Sequence, residues 1–143
     1  MLRAYPGVKF RRIEPGKPLP YADGEFDIAC SNAVLEHVGG PDMRAAFIKE
    51  HLRVARSVFI TIPNRWFPIE HHTKIPLLHY APELFRKSIA GTRLRYWARP
   101  SNLEFLDRQL IFREWPIAAK PEVVFTGIPL GRLSSNLAII VKR

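Results

Sequence analysis

An α/β fold, with parallel strands and a closing antiparallel hairpin, is predicted by three features of the sequence. Phe26, Ile28 and Cys30 alternate with Asp27, Ala29 and Ser31, the period of two that marks a strand. Val58 to Ile62 is a near-continuous apolar run, as in an interior strand covered on both faces. Between them, Pro41 to Ala55 sets Phe47, Ile48, Leu52 and Ala55 along one helical stripe, long enough for the crossover that parallel neighbours require. A chain of 143 residues suits one compact domain, 1–143, yet is short for a complete doubly wound α/β enzyme.

In chain order, Val8, Phe10 and Ile13 are the expected inward positions of a first short strand over 8–13. Pro15, Pro18 and Pro20 then remove amide donors and fix φ, so a loop follows, with Asp23-Gly24 turning the chain into the strand at 26–31. Cys30 falls on the apolar phase of that strand and reads as a small core residue. Ala33, Val34, Leu35 and Val38 predict a helical turn or two capped by Ser31 or Asn32, ended by Gly39-Gly40. Pro41 opens the next helix where a missing N–H costs nothing, Asp42 complements its positive end, and Lys49, Glu50 and Arg53 take the outer side. The strand at 57–62 ends at Pro63, with Asn64 at its tip.

Residues 64–82, rich in aromatic, His and Pro residues, read as an insertion or lid. A short helix is expected over Glu83 to Ile89 and a longer one over Leu103 to Trp115, capped by Ser101 or Asn102, with Leu103, Leu106, Leu110 and Ile111 inward. Val123 to Ile128 and Asn136 to Val141 make the closing antiparallel pair. Because the strands at 26–31 and 57–62 are read as parallel, Ser31, Asn32 and Asn64 share one rim. Open α/β sheets bind their ligands beyond that end of the strands.

The formal net charge is +9, unevenly placed: residues 1–60 hold nine Lys/Arg against seven Asp/Glu, and residues 61–143 hold thirteen against six. The densest part is Arg86, Lys87, Arg93, Arg95 and Arg99, interleaved with Tyr96 and Trp97. Such a patch suits RNA or an anionic surface, or is a solvated basic face anchored by two aromatics, and no recognisable nucleic-acid module accompanies it. No transmembrane run or secretory signal is legible, so a cytoplasmic location is the default expectation. His71, His72 and His79 with Glu70 invite a zinc reading, but adjacent histidines do not share a face and no Cys or H-x-x-x-H pair supports it; no metal is expected.

Leu19, Pro20, Tyr21, Asp23, Phe26, Asp27, Ile28, Val34, Leu35, Glu36, His37 and Val38 follow one another in an order that resembles class I S-adenosylmethionine-dependent methyltransferases of the small-molecule (type 11-like) family. The resemblance implies a Rossmann-like sheet, of which this chain carries the C-terminal portion, with 8–13, 26–31 and 57–62 as its third to fifth strands. It implies S-adenosylmethionine as cofactor and a small-molecule methyl acceptor as partner. The strand and Gly-rich loop with which such enzymes begin are not in the sequence, nor is the acidic end of the second strand. The resemblance therefore reads as N-terminally truncated, with impaired cofactor binding and an exposed sheet edge inviting self-association or a companion chain.

By the same resemblance, Ser31, Asn32 and Ala33 would line the methionine part of the cofactor. The acid that commonly holds the adenine amino group is replaced by Pro15, leaving Glu14 as its substitute or as a surface charge. His37 is the candidate catalytic base on the acceptor side, with a packing role in its turn as the alternative. Asn64, Arg65, Trp66 and His72 are the candidate acceptor-binding residues. The rival reading is a non-catalytic basic interaction protein built on Arg86 to Arg99.

Overall fold

The computed structural model describes residues 7–117 and 120–142. Four strands form one sheet in the order β1-β2-β4-β3: β1 is Phe26–Asn32, β2 Ala55–Pro63, β3 Glu122–Thr126 and β4 Asn136–Lys142. β1 and β2 run parallel, with Asn32 opposite Thr61, while β4 pairs antiparallel with both β2 and β3. The parallel pair, its crossover and the closing hairpin thus stand as the sequence predicts. The crossover helix α1, Pro41–Val54, carries Pro41 in its first turn. Ile48 and Leu52 of α1 pack with Val58, Ile60 and Ile62 of β2 and Leu137, Ile139 and Val141 of β4 in one core cluster. Leu35, Leu106, Ile111 and Val123 of β3 complete it.

The loop before β1 is fastened to α1 by Arg53. Its guanidinium donates to the carbonyls of Leu19 and Tyr21 and to the carboxylates of Asp23 and Glu50, while Glu50 accepts from the Leu19 amide. The outer side of α1 is therefore a clamp that sets the entry of β1. Two shorter helices follow: α2, Pro82–Ile89, and α3, Arg108–Glu114. Phe85 of α2 is fully buried against the ring of Phe105.

Four expectations need correction. Residues 8–13 form no strand; Val8, Phe10 and Ile13 stand in solvent, Phe10 at 78% exposure. A strand needs a neighbour's donors and acceptors, and β1 pairs with no strand but β2 among the described residues. The phase of β1 is also reversed, and Cys30 is exposed rather than in the core. Ala29 and Ser31 lie opposite Val58 and Ile60 and share their covered face, which turns Phe26, Ile28 and Cys30 outward, Ile28 to 61% exposure.

The turn after β1 is a 3-10 turn at Leu35–His37 without a side-chain cap, so neither Ser31 nor Asn32 caps it. Finally, the helix expected from Leu103 begins only at Arg108. Asp107 caps it by accepting from the Leu110 amide, and residues 103–107 run as an extended strap. Backbone bonds from Glu104 to the Glu36 carbonyl and from Arg65 to the Leu106 carbonyl hold that strap in place, which lets Leu103 and Leu106 reach the core without helical spacing.

His51, in α1, donates from Nδ1 to the Phe47 carbonyl; burial lowers its pKa below the ordinary histidine value, and burial lowers that of His79 in the same way. Both are held neutral in the folded chain. Below about pH 6.5 the unfolded chain binds protons that the folded chain refuses, so stability should fall as the pH drops through that value. A lower urea midpoint at pH 5.5 than at pH 7.5 is the expected result; equal midpoints would count against it.

Candidate functional site

The C-terminal ends of β1 and β2 form the rim that the parallel register demands. Asn32 accepts a hydrogen bond from the Thr61 hydroxyl, and the Ala33 amide donates to the Thr61 carbonyl at 2.9 Å, turning the chain off the sheet. Ala33 takes a left-handed backbone at φ 50°, a conformation that holds only where the surroundings enforce it and that clusters at functional positions. Ser31 is buried on the core face with its hydroxyl lacking a hydrogen-bond partner among the described residues. Glu14 lies away from any buried site, in a solvent-exposed turn where it pairs with Lys17 at 2.7 Å.

The 3-10 turn that follows the rim delivers Glu36 and His37, and the segment after β2 delivers Glu70 and His72 to meet them. His37 Nδ1 lies 2.6 Å from the Asn102 carbonyl, which can only accept, so that nitrogen carries a proton. His72 Nδ1 lies 2.8 Å from Glu70 Oε1 and donates to it. The two Nε2 atoms face each other at 3.0 Å, with the rings set edge to face at 84°. Trp97 covers both rings, its centroid 5.7 Å from that of His37 and 4.6 Å from that of His72.

Glu70 organises this segment. Its carboxylate accepts from the His72 amide and ring and from the amide and hydroxyl of Thr73. Burial alone would raise its pKa; the His72 and Thr73 hydrogen bonds outweigh that and hold it at about 2, so the group is a carboxylate. Glu36 is the opposite case. It is 1% exposed, burial raises its pKa, and neither of its carboxyl oxygens has a hydrogen-bond partner among the described residues. Its Oε1 lies 3.7 Å from His37 Nε2. A cavity of about 20 Å³ adjoins it, lined by Glu70, His72, Asn64 and Arg65 among others. A larger cleft of about 580 Å³ lies by Asp23, Gly24 and Ala55, at the opposite end of the parallel strands.

Of the other candidates, Asn64 is spent internally: its amide donates to the carbonyls of Arg132 and Ser134, and its oxygen accepts from the Trp66 amide. It pins the β3–β4 connection beneath the rim rather than pointing at a ligand. Arg65 stacks on Trp66 at 4.7 Å, and Trp66 remains half open to solvent. His37 has both ring nitrogens engaged, so it is not a solitary base. His79 is buried with Nε2 donating to the Phe67 carbonyl, and His71 packs on Phe67; neither joins the His37–His72 pair.

The basic patch divides. Arg86 turns inward to the carbonyls of Ala98 and Leu103 and over the Phe105 ring, Trp97 walls the histidine pair, and Lys87, Arg93, Arg95 and Arg99 stay exposed with Tyr96. Sequence reasoning missed Trp97, Glu36 and Asn102 as parts of one site. Adjacent residues on a helical turn point about 100° apart, so nothing in the sequence groups Glu36 with His37. The residues bonded to His37, namely His72 and Asn102, lie 35 and 65 positions further on.

Residues 3–58 match the family model described as a methyltransferase domain. No curated protein and no solved structure matches the chain. Among the described residues no helix is long and apolar enough to cross a membrane.

Proposed function

With residues 3–58 supporting a class I S-adenosylmethionine-dependent methyltransferase, we propose that this chain's rim serves methyl transfer from S-adenosylmethionine to a small-molecule acceptor. The observation that carries the reading is the coincidence of the family match with the rim: the matched residues run through β1, the 3-10 turn and α1 into β2. Ser31, Asn32 and the strained Ala33 take the cofactor side, with Glu14 as the remaining acidic candidate. His37, paired with His72, takes the acceptor side with Arg65 and Trp66, and Asn64 supports them from below. The sulfonium is already a strong electrophile, so alignment of the acceptor and exclusion of water are the protein's main tasks.

The sequence holds no Gly-rich strand-to-helix loop, so impaired cofactor affinity belongs to the same proposal. Titration calorimetry with S-adenosylmethionine and S-adenosylhomocysteine tests both parts. Weak but saturable binding, lost on Asn32→Ala with Ala33→Val, is expected. Micromolar affinity would overturn the impairment, and no heat at millimolar cofactor would overturn the function.

A second copy of the chain is the proposed partner for the open edge of β1 and its outward face of Phe26, Ile28 and Phe59. Sedimentation should show association that rises with concentration and falls in Ile28→Lys. A monomer at every concentration would refute it.

A further inference from the structure

We propose that Glu36, His37 and His72 form a site for a first-row divalent metal ion such as zinc. The three residues each offer one ligand atom, and these atoms lie within 4.8 Å of one another. Hydrogen bonding fixes which atoms are offered. The Asn102 carbonyl and the Glu70 carboxylate hold the protons of His37 and His72 on Nδ1, which leaves a lone pair on each of the two neighbouring Nε2 atoms. Two lone pairs 3.0 Å apart repel unless a proton or a cation stands between them.

The carboxylate of Glu36 favours the cation. A proton shared by the two Nε2 atoms satisfies the histidines and leaves both Glu36 oxygens without a donor in a group only 1% exposed. A metal ion takes all three. Among the described residues the ion-pair contact of Glu36 is with His37, itself a member of the set, and no Lys or Arg pairs with it. Tetrahedral zinc with bonds of about 2.05 Å sets its ligand atoms about 3.3 Å apart. The observed Nε2–Nε2 and Oε1–Nε2 distances about His37, 3.0 and 3.7 Å, bracket that value, and the edge from Glu36 to His72 is within 4.8 Å, so closing the site requires the Glu36 carboxylate to turn toward His72.

The second ring of contacts is also that of a metal site. Ligating histidines characteristically donate their other N–H to a carboxylate or a backbone carbonyl, which orients the ring and raises its basicity; Glu70 and Asn102 fill those two roles. Trp97 shields the pair. The neighbouring cavity of about 20 Å³ has room for one ion or one water. Two imidazoles and one carboxylate suit zinc and its first-row neighbours and leave at least one coordination position open.

The test uses the 143-residue chain stripped with a chelator and then titrated with Zn²⁺ alone, and separately with Co²⁺ while the visible spectrum is recorded. One ion per chain and the absorption bands of tetrahedral Co²⁺ are expected. His37→Gln and His72→Gln should each weaken binding at least tenfold, Glu36→Gln likewise, and His51→Gln, in α1, should leave it unchanged. Circular dichroism of each variant checks that it folds. No stoichiometric uptake by the folded wild-type chain overturns the proposal and leaves a shared proton or a buried water at the site. Uptake that survives both histidine substitutions, or that is lost with His51→Gln, overturns it equally. None of these readouts depends on methyl transfer, so the metal site and the enzymatic reading fail separately.

Discussion

Arg44→Ala is expected to destabilise the chain by about 3 kcal/mol, because it strands a carboxylate that the fold has largely withdrawn from water. Arg44 is 5% exposed in α1, and its guanidinium holds Glu114 of α3 at 2.9 and 2.6 Å through Nε and Nη2. Nη1 donates to the Gly39 carbonyl at 2.7 Å. One side chain therefore ties together the end of α3, the start of α1 and the double-glycine hinge that follows Glu36 and His37. Removing it leaves Glu114 without its paired charge and frees the hinge at once. Folded proteins hold only about 5–15 kcal/mol in reserve, so the loss is a large share. Replacing both partners, Arg44→Met with Glu114→Leu, should restore most of it, since the penalty comes from the widowed charge and not from the absence of a pair. Urea denaturation followed by circular dichroism measures both. A loss below 1 kcal/mol in the single variant would show that Glu114 simply turns to solvent.

Arg44 also illustrates what was legible in the sequence. Periodicity found α1 and both parallel strands, because apolar spacing follows directly from which face is covered, and Pro41 marked the helix start. It did not reveal that Arg44, a charged residue in a helix, is buried, since its partner Glu114 lies 70 residues away. The phase of β1 failed for a related reason. Phe26, Ile28 and Cys30 are the more apolar set, but register with Val58 and Ile60 decides which side meets α1, and register is a property of two strands, not one. Leu103, Leu106 and Leu110 have helical spacing, yet the first two are buried from an extended strap held by backbone bonds to Glu36 and Arg65. Asp107 was the signal available there: an N-cap aspartate placed the true start of α3.

The site was legible only in halves. The rim at Ser31, Asn32 and Asn64 followed from strand direction, whereas the meeting of Glu36 and His37 with His72 depends on how residues 64–82 fold back. Those residues contain no long element to which a periodicity could apply. What folds them back is a set of local hydrogen bonds, those to the Glu70 carboxylate and those from the Leu77 amide, the His79 ring and the Tyr80 hydroxyl to the carbonyls of Pro68, Phe67 and Trp66, and such bonds leave no periodic trace in a sequence.

Glu70→Gln tests that organisation most directly and should destabilise the chain by about 3 kcal/mol, although the substitution keeps volume and shape. Every partner of the Glu70 carboxylate among the His72 and Thr73 groups is a donor: the His72 amide at 3.0 and 3.1 Å, the His72 ring at 2.8 Å, and the Thr73 amide and hydroxyl at 2.6 Å each. A carboxylate offers two acceptor oxygens to this ring of donors. A glutamine offers one, and in either orientation its NH2 confronts an N–H that is already buried. The Thr73 hydroxyl can rotate to accept, but the backbone amides cannot, so one bond is lost outright and a second donor is left facing a donor.

The consequence reaches beyond residue 70. The turn closed by the Glu70 and Lys74 amides, bonded to the Ile75 and Glu70 carbonyls, loses its central anchor, and His72 loses the group that fixes its proton on Nδ1. Glu70→Gln should therefore lower the urea midpoint and, by freeing His72, weaken Zn²⁺ uptake by about 10- to 100-fold, the range typical of a lost carboxylate partner behind a metal-binding histidine. Lys74→Ala, which removes an exposed side chain from the same turn and leaves every one of these bonds in place, should change neither. Equal midpoints for wild type and Glu70→Gln would mean that the backbone of the turn holds itself. The carboxylate would then be a passenger of the fold and not its organiser.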